Sequence, residues 1–190
     1  ITTTLGVGAG IPEGTLIQTP IGSVPVEALQ KGQDVTTRNG PKPIVEIARM
    51  EGGSLAGTLF SIQAGALGKG MPEREIKLPP GQLVVVSHTA AAMYFGSDEV
   101  LAEVSELQRA GAIDFHPVTG RAPVLFRLLL PEPDAVLAHG LWLDAAGDGK
   151  MPKPRLAAWE ARLMAGWIFD QRCRAAGKRR NRVAARKESA

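Results

Sequence analysis

The sequence predicts a mainly β protein: a twisted antiparallel β body followed by one long C-terminal α-helix. Three observations carry this expectation. Thr15, Ile17 and Thr19 alternate with Leu16 and Gln18, the period-two signature of a half-buried strand. The chain of 190 residues holds 22 Gly and 14 Pro, about a fifth of its length, which suits many turns and few long helices. A helical stripe (Leu156, Trp159, Leu163, Trp167 and Phe169 or Cys173, at spacings of three to four) comes only near the C-terminus.

The elements follow in order. Residues 1–9 are small, apolar or hydroxylated and read as an extended N-terminal arm, too short and uncharged for a complete secretory leader. Thr15 to Thr19 is a strand, Pro20 to Ser23 a turn, Val24 to Val26 a resumed strand, and VEALQKG a short helical turn closed by Gly32. Asp34 to Thr37 and Pro43 to Met50 read as strands joined at Arg38-Asn39-Gly40-Pro41, because Asn-Gly readily takes positive φ. Glu51 to Gly57 is a Gly-rich loop and Thr58 to Gln63 a strand. The apolar run in LPPGQLVVV predicts another strand, with His88 an ordinary strand histidine just beyond it. Ser97 ahead of acidic residues, then Val100, Leu101, Val104 and Leu107, predicts a capped helix. Ile113 to Val118, Pro123 to Leu130 and Ala135 to Ala138 are strands. Met151-Pro152-Lys153-Pro154 is a linker, and Arg155 to about Gly177 a helix.

Composition bounds the function. Hydrophobic residues make 44% of the chain, charged residues 22%, and mean hydropathy is near zero, as in an ordinary globular body with one core. No apolar run approaches the ~18 residues of a membrane span. The single Cys173 allows no disulfide within the chain and no Cys-based metal site. His88, His116 and His139 lack ligand spacing, so neither a metal nor a cofactor is expected. Charge is divided: from Lys150 onward there are 12 basic and 3 acidic residues, against 10 and 16 before it, an acidic body with a basic tail.

The pattern from Gly14 to Val35, GTLIQTPIGSVPVEALQKGQDV, resembles the opening of a Hint domain, the module shared by Hedgehog autoprocessing domains and inteins, in its bacterial branch. The likeness continues through the Asn39-Gly40 hairpin, through AGALG at 64–68 and through Val136-Leu137-Ala138-His139-Gly140-Leu141, covering about residues 10–149. It implies a disc-like antiparallel fold and a site for self-cleavage. In the family a nucleophilic Cys lies four residues ahead of the Gly of "GT"; here that position is Gly10. The activating His of an L-S-P-x-H-x-L stretch corresponds to Gln82, with Pro79 at the hydroxyl position. The His that assists the later step corresponds to Pro133, the following Glu to His139, and the Thr-Gly-Asn end to Ala146-Gly147-Asp148. Glycine has no side chain to attack with, and Gln cannot exchange a proton near neutral pH.

The expectation is therefore a degenerate, non-catalytic member, not an enzyme, serving as a structural or protein-interaction module, with residues 10–149 as the β domain and 150–190 as basic helix and tail. The alternative is autoprocessing with a different nucleophile, for which Thr15, or Ser87 with His88, are the weak candidates. Asp114 and His116, two apart on one strand, form a weaker catalytic pair with no nucleophile beside them. The helix packs on the body or docks on another protein chain, with Trp159, Leu163 and Trp167 as the apolar face. Arg174, Lys178, Arg179, Arg180 and Arg182 form a run that is solvated, or that contacts nucleic-acid phosphate or an anionic membrane.

Overall fold

The computed structural model describes residues 9–51, 58–109, 115–119, 123–145 and 151–188. Residues 1–8 of the expected arm (1–9) and 52–57 of the expected loop (51–57) lie outside the described residues, as do Asp114 and residues 146–148.

Fourteen strands are described: β1 (Ile11–Pro12), β2 (Leu16–Thr19), β3 (Gly22–Pro25), β4 (Asp34–Thr37), β5 (Gly40–Pro43), β6 (Glu46–Glu51), β7 (Thr58–Ile62), β8 (Ile76–Leu78), β9 (Leu83–Ser87), β10 (Glu99–Glu103), β11 (Phe115–Thr119), β12 (Val124–Leu129), β13 (Ala135–Ala138) and β14 (Leu141–Asp144). The helices are α1 (Thr89–Phe95), α2 (Val104–Arg109) and α3 (Ala158–Glu188). The strands form three antiparallel sheets, ordered β1-β12-β6, β10-β9-β14-β13-β2-β3 with the β4-β5 hairpin paired onto β13, and β11-β7-β8. This is a mainly β body with a C-terminal helix.

The opening pattern is explained by its contacts. Val26 and Leu29 are buried in the core, and Val26 N–H donates to the Thr15 carbonyl at 2.9 Å. Glu27 accepts the Gly14 N–H at 2.8 Å, so the Gly-Thr loop and the 3-10 turn at Val26–Ala28 hold each other. In AGALG, Ala66 and Leu67 are buried plugs, with Gly65 (φ +73°) and Gly68 (φ +80°) making the backbone turn that presents them.

Several expectations need correction. Pro43 to Met50 is not one strand: β5 ends at Pro43, Ile44 N–H bonds to Gln33, Val45 N–H bonds to Leu129, and the chain passes to another sheet as β6. Ser97 caps no helix. Its hydroxyl bonds the N–H and C=O of Glu99, and Glu99–Glu103 pairs with β9, so sheet pairing prevails over helical spacing and the helix is confined to α2. His88 is not a strand residue. Its Nδ1 accepts the Ala90 N–H at 3.1 Å and caps α1, a helix the sequence reading did not anticipate.

Another concerns α3. The face it buries is Ala161, Met164, Ala165 and Ile168, at the spacing of one helical side. Trp159 is 65% and Phe169 50% exposed, and Trp167 packs within the chain against His88, Tyr94 and Phe95 with ring centroids 5.2–6.2 Å apart. Small side chains let the helix approach closely, so the contact lies about 150° round the helix from the Trp stripe. Residues 151–157 are no free linker: Met151 and Leu156 are buried, Leu101 N–H donates to Pro154 O, and Leu156 N–H donates to Leu101 O, each at 2.8 Å.

Candidate functional site

β1 and the turn before β9 bring residues 10 and 82 together from 72 positions apart. Gly10 N–H donates to Gln82 Oε1 at 3.0 Å. Gln82 is 1% exposed, and its Nε2 donates to the carbonyls of Asp144 at 2.9 Å and Leu83 at 3.0 Å. One amide thus joins β1, β9 and the end of β14, with its acceptor and both donors engaged. Gly10 holds φ +152°, and a Cβ built there would lie 3.0 Å from Leu125 Cβ and 3.1 Å from Met50 Cε. Leu125 pairs with Pro12 across the β1–β12 ladder, so its Cβ is fixed by backbone.

The remaining predicted positions lie apart from this junction. Pro133 is exposed at the start of β13, one residue ahead of the fully buried Asp134. Ser87 ends β9, about 16 Å of strand from Gln82. Its hydroxyl is 3.5 Å from Lys69 Nζ. The His88 ring caps α1 and stacks on Trp167; burial, with Lys69 adding to it, lowers its pKa. Thr15 is buried and lines a cleft of about 300 Å³ with Glu75, Lys77 and His139.

His139 and Asp134 are the polar hubs that the sequence reading left without a role. His139 sits at φ +50°, accepts the Leu16 N–H at Nε2 (3.3 Å) and places Nδ1 2.8 Å from the Glu75 carbonyl, which selects the tautomer with the proton on Nδ1. It bolts β2, the segment before β8 and the β13–β14 turn together. Asp134 accepts from Thr37 Oγ1 (2.8 Å), the Ala135 N–H (2.8 Å) and Asn39 Nδ2 (3.1 Å), and pairs with Lys42 at 3.1 Å. Burial by itself would raise the Asp134 carboxyl; the hydrogen bonds, from Thr37 and Lys42 above all, outweigh it and hold the group below its ordinary value. The signal in the sequence was a carboxylate directly between Pro133 and the apolar run Ala135–Ala138.

On α3, Arg174 pairs with Asp170 at 2.7 Å, and Leu163 is half-buried. The side chains of Lys178, Arg179, Arg180 and Arg182 lie outside the described residues, though their backbone continues the helix. Among the described residues no group of three or more His, Cys, Asp or Glu is placed to hold a metal ion, and no helix is long and apolar enough to cross a membrane.

Comparison with known proteins places the chain. A family model described as "Hint domain" matches residues 10–150. The crystal structure of the gp41-1 intein is similar at 15% identity and a TM-score of 0.47, covering 73% of this chain and 99% of that one. The solution structure of a bacterial intein-like domain from Clostridium thermocellum gives 15% and 0.47, covering 72% and 98%. The MchDnaB-1 intein crystal structure gives 10% and 0.45, covering 70% and 98%. No curated protein matches the chain.

Proposed function

The chain belongs to the Hint domain family, and we propose that it keeps the family's fold as a non-catalytic structural or protein-interaction module. The observation that carries this reading is the Gly10–Gln82 hydrogen bond. The two positions to which the resemblance assigns nucleophile and activating His meet in the core, as they must in a working site. Here they meet as a backbone N–H and a carboxamide oxygen, a joint that holds β1 to β9. The space where a side chain at residue 10 would stand is filled by Leu125 and Met50.

The Ser87–His88 pair gains no support from its surroundings. Ser87 and His88 are neighbours in sequence, yet His88 Nδ1 is engaged by the Ala90 N–H, which leaves that nitrogen no capacity to accept a hydroxyl proton. A protein partner would find its apolar contact on the outward side of α3, where Trp159 and Phe169 are exposed, while Trp167 serves the fold.

The test is intact mass of protein expressed with an N-terminal peptide extension ahead of Ile1, incubated with and without a thiol. A single unprocessed mass is expected. A fragment beginning at or near Gly10 would overturn the proposal, and loss of that fragment in Thr15→Ala or Ser87→Ala would identify the nucleophile.

A further inference from the structure

From Arg172 to Lys187 eight of sixteen residues are Lys or Arg and none is acidic, yet the segment continues α3 without a break. At its start the segment borders the turn over residues 65–70 across an open cleft lined by Arg172, Ala175 and Ala176. Arg172 still reaches the Ala66 carbonyl at 3.4 Å, but Cys173 to Ala176 are exposed. As a free helix the segment repels itself, since Arg174/Lys178, Lys178/Arg182 and Arg182/Arg186 are like charges four apart. Its last aromatic is Phe169 and its bulkiest apolar residue Val183, so it has no apolar face to bury.

At about 100° per residue, the basic positions run round about two-thirds of the helix. The remaining strip carries Cys173, Gly177, Asn181 and Ala184, three small residues and one amide. We infer that this distal half of α3 binds double-stranded DNA in the major groove. A groove has phosphates on both walls and admits one helix, so it neutralises basic positions on both flanks at once. The small strip allows close approach to the floor, and an Asn amide there matches the paired donor and acceptor of adenine. A membrane is one plane: it would meet the charges of one side only, and insertion into it needs the apolar face that the segment lacks. The body, with 10 basic and 16 acidic residues before Lys150, is repelled by the duplex and leaves the basic segment as the contact. This holds whether or not the β domain cleaves its own chain.

The experiment is fluorescence anisotropy of a labelled mixed-sequence duplex of about 24 base pairs with the full chain, in reductant, across NaCl concentrations. The same titration is run with the separated single strand and with phosphatidylserine/phosphatidylcholine vesicles. The variant combines Lys178→Gln, Arg179→Gln, Arg180→Gln and Arg182→Gln, with thermal unfolding to show that the body is unchanged. The expected result is duplex binding whose logarithmic salt slope becomes shallower by about 3.6 in the variant, with affinity near 0.1 M salt about a thousandfold weaker. Asn181→Ala should keep the slope and narrow the spread of affinities among duplexes of different sequence. An unchanged slope in the fourfold variant, equal affinity for the single strand, binding to vesicles alone, or no binding to any probe would each overturn the inference.

Discussion

Placing a methyl group at residue 10 tests how tightly the β1–β9 junction is closed. In Gly10→Ala the new Cβ lies 3.0 Å from Leu125 Cβ and 3.1 Å from Met50 Cε. Met50 Cε is the end of a flexible side chain and can yield. Leu125 is held by its ladder pairing with Pro12, so the strain falls on β1. A backbone at φ +152° costs a non-glycine residue about 1–3 kcal/mol, and overpacking a closed core costs about 1–3 kcal/mol more. With partial relaxation the expected loss is about 2–4 kcal/mol, a large share of an ordinary domain's stability of about 5–15 kcal/mol. Gly14→Ala is the control: it too has positive φ, +81°, but nothing lies within 4 Å of its Cβ, so only the backbone cost of about 1–2 kcal/mol applies. Urea unfolding of the two variants gives the comparison directly. If Gly10→Ala loses no more than Gly14→Ala, the junction has room for a side chain and the packing argument fails.

Asp134→Ala should cost about 2–3 kcal/mol by urea unfolding, because Thr37, Asn39 and the Ala135 N–H lose a common buried acceptor while Lys42 keeps Glu132. Since the folded Asp134 carboxyl lies below its unfolded value, its stabilisation is complete above about pH 4 and disappears as pH falls through the folded value; Asp134→Asn should flatten that acid limb. His88 has a lowered folded pKa, so the unfolded chain takes up its proton first and stability falls as pH drops below about 6.5. In His88→Asn, which keeps a capping oxygen without a titrating ring, thermal midpoints should lose this dependence between pH 7 and 5.

Much of the β body was legible because its strands obey local rules. The alternation at Thr15–Thr19 and the Asn39-Gly40 turn each carry their signal within a few residues, and β2 and the β4–β5 hairpin form there. Where the reading went astray, a distant partner decided. Glu99–Glu103 has helical spacing on paper, but β9 offers five residues of backbone pairing to Val100 and its neighbours. Helix α1 was hidden because its cap is a histidine and its interior a run of alanines with little periodicity. On α3 the large Trp side chains outweighed Ala161 and Ala165 in the pattern, whereas close approach favoured the small residues. The site came through resemblance: motif spacing named residues 10 and 82 as one locus, and only the folded chain shows the hydrogen bond between them.

The strap at Pro154–Leu156 has a consequence for handling the protein. β10 is the outermost strand of the largest sheet, and Leu101 in its middle would otherwise offer an unpaired N–H and C=O to any passing chain. The strap occupies both groups and pairs in parallel at Arg155. Removing everything after residue 150 would therefore bare a hydrogen-bonding edge beside the buried apolar residues Val100, Leu101 and Ala102, inviting sheet-to-sheet aggregation. Shortening the chain after Gly177 leaves the edge sealed and the protein dispersed.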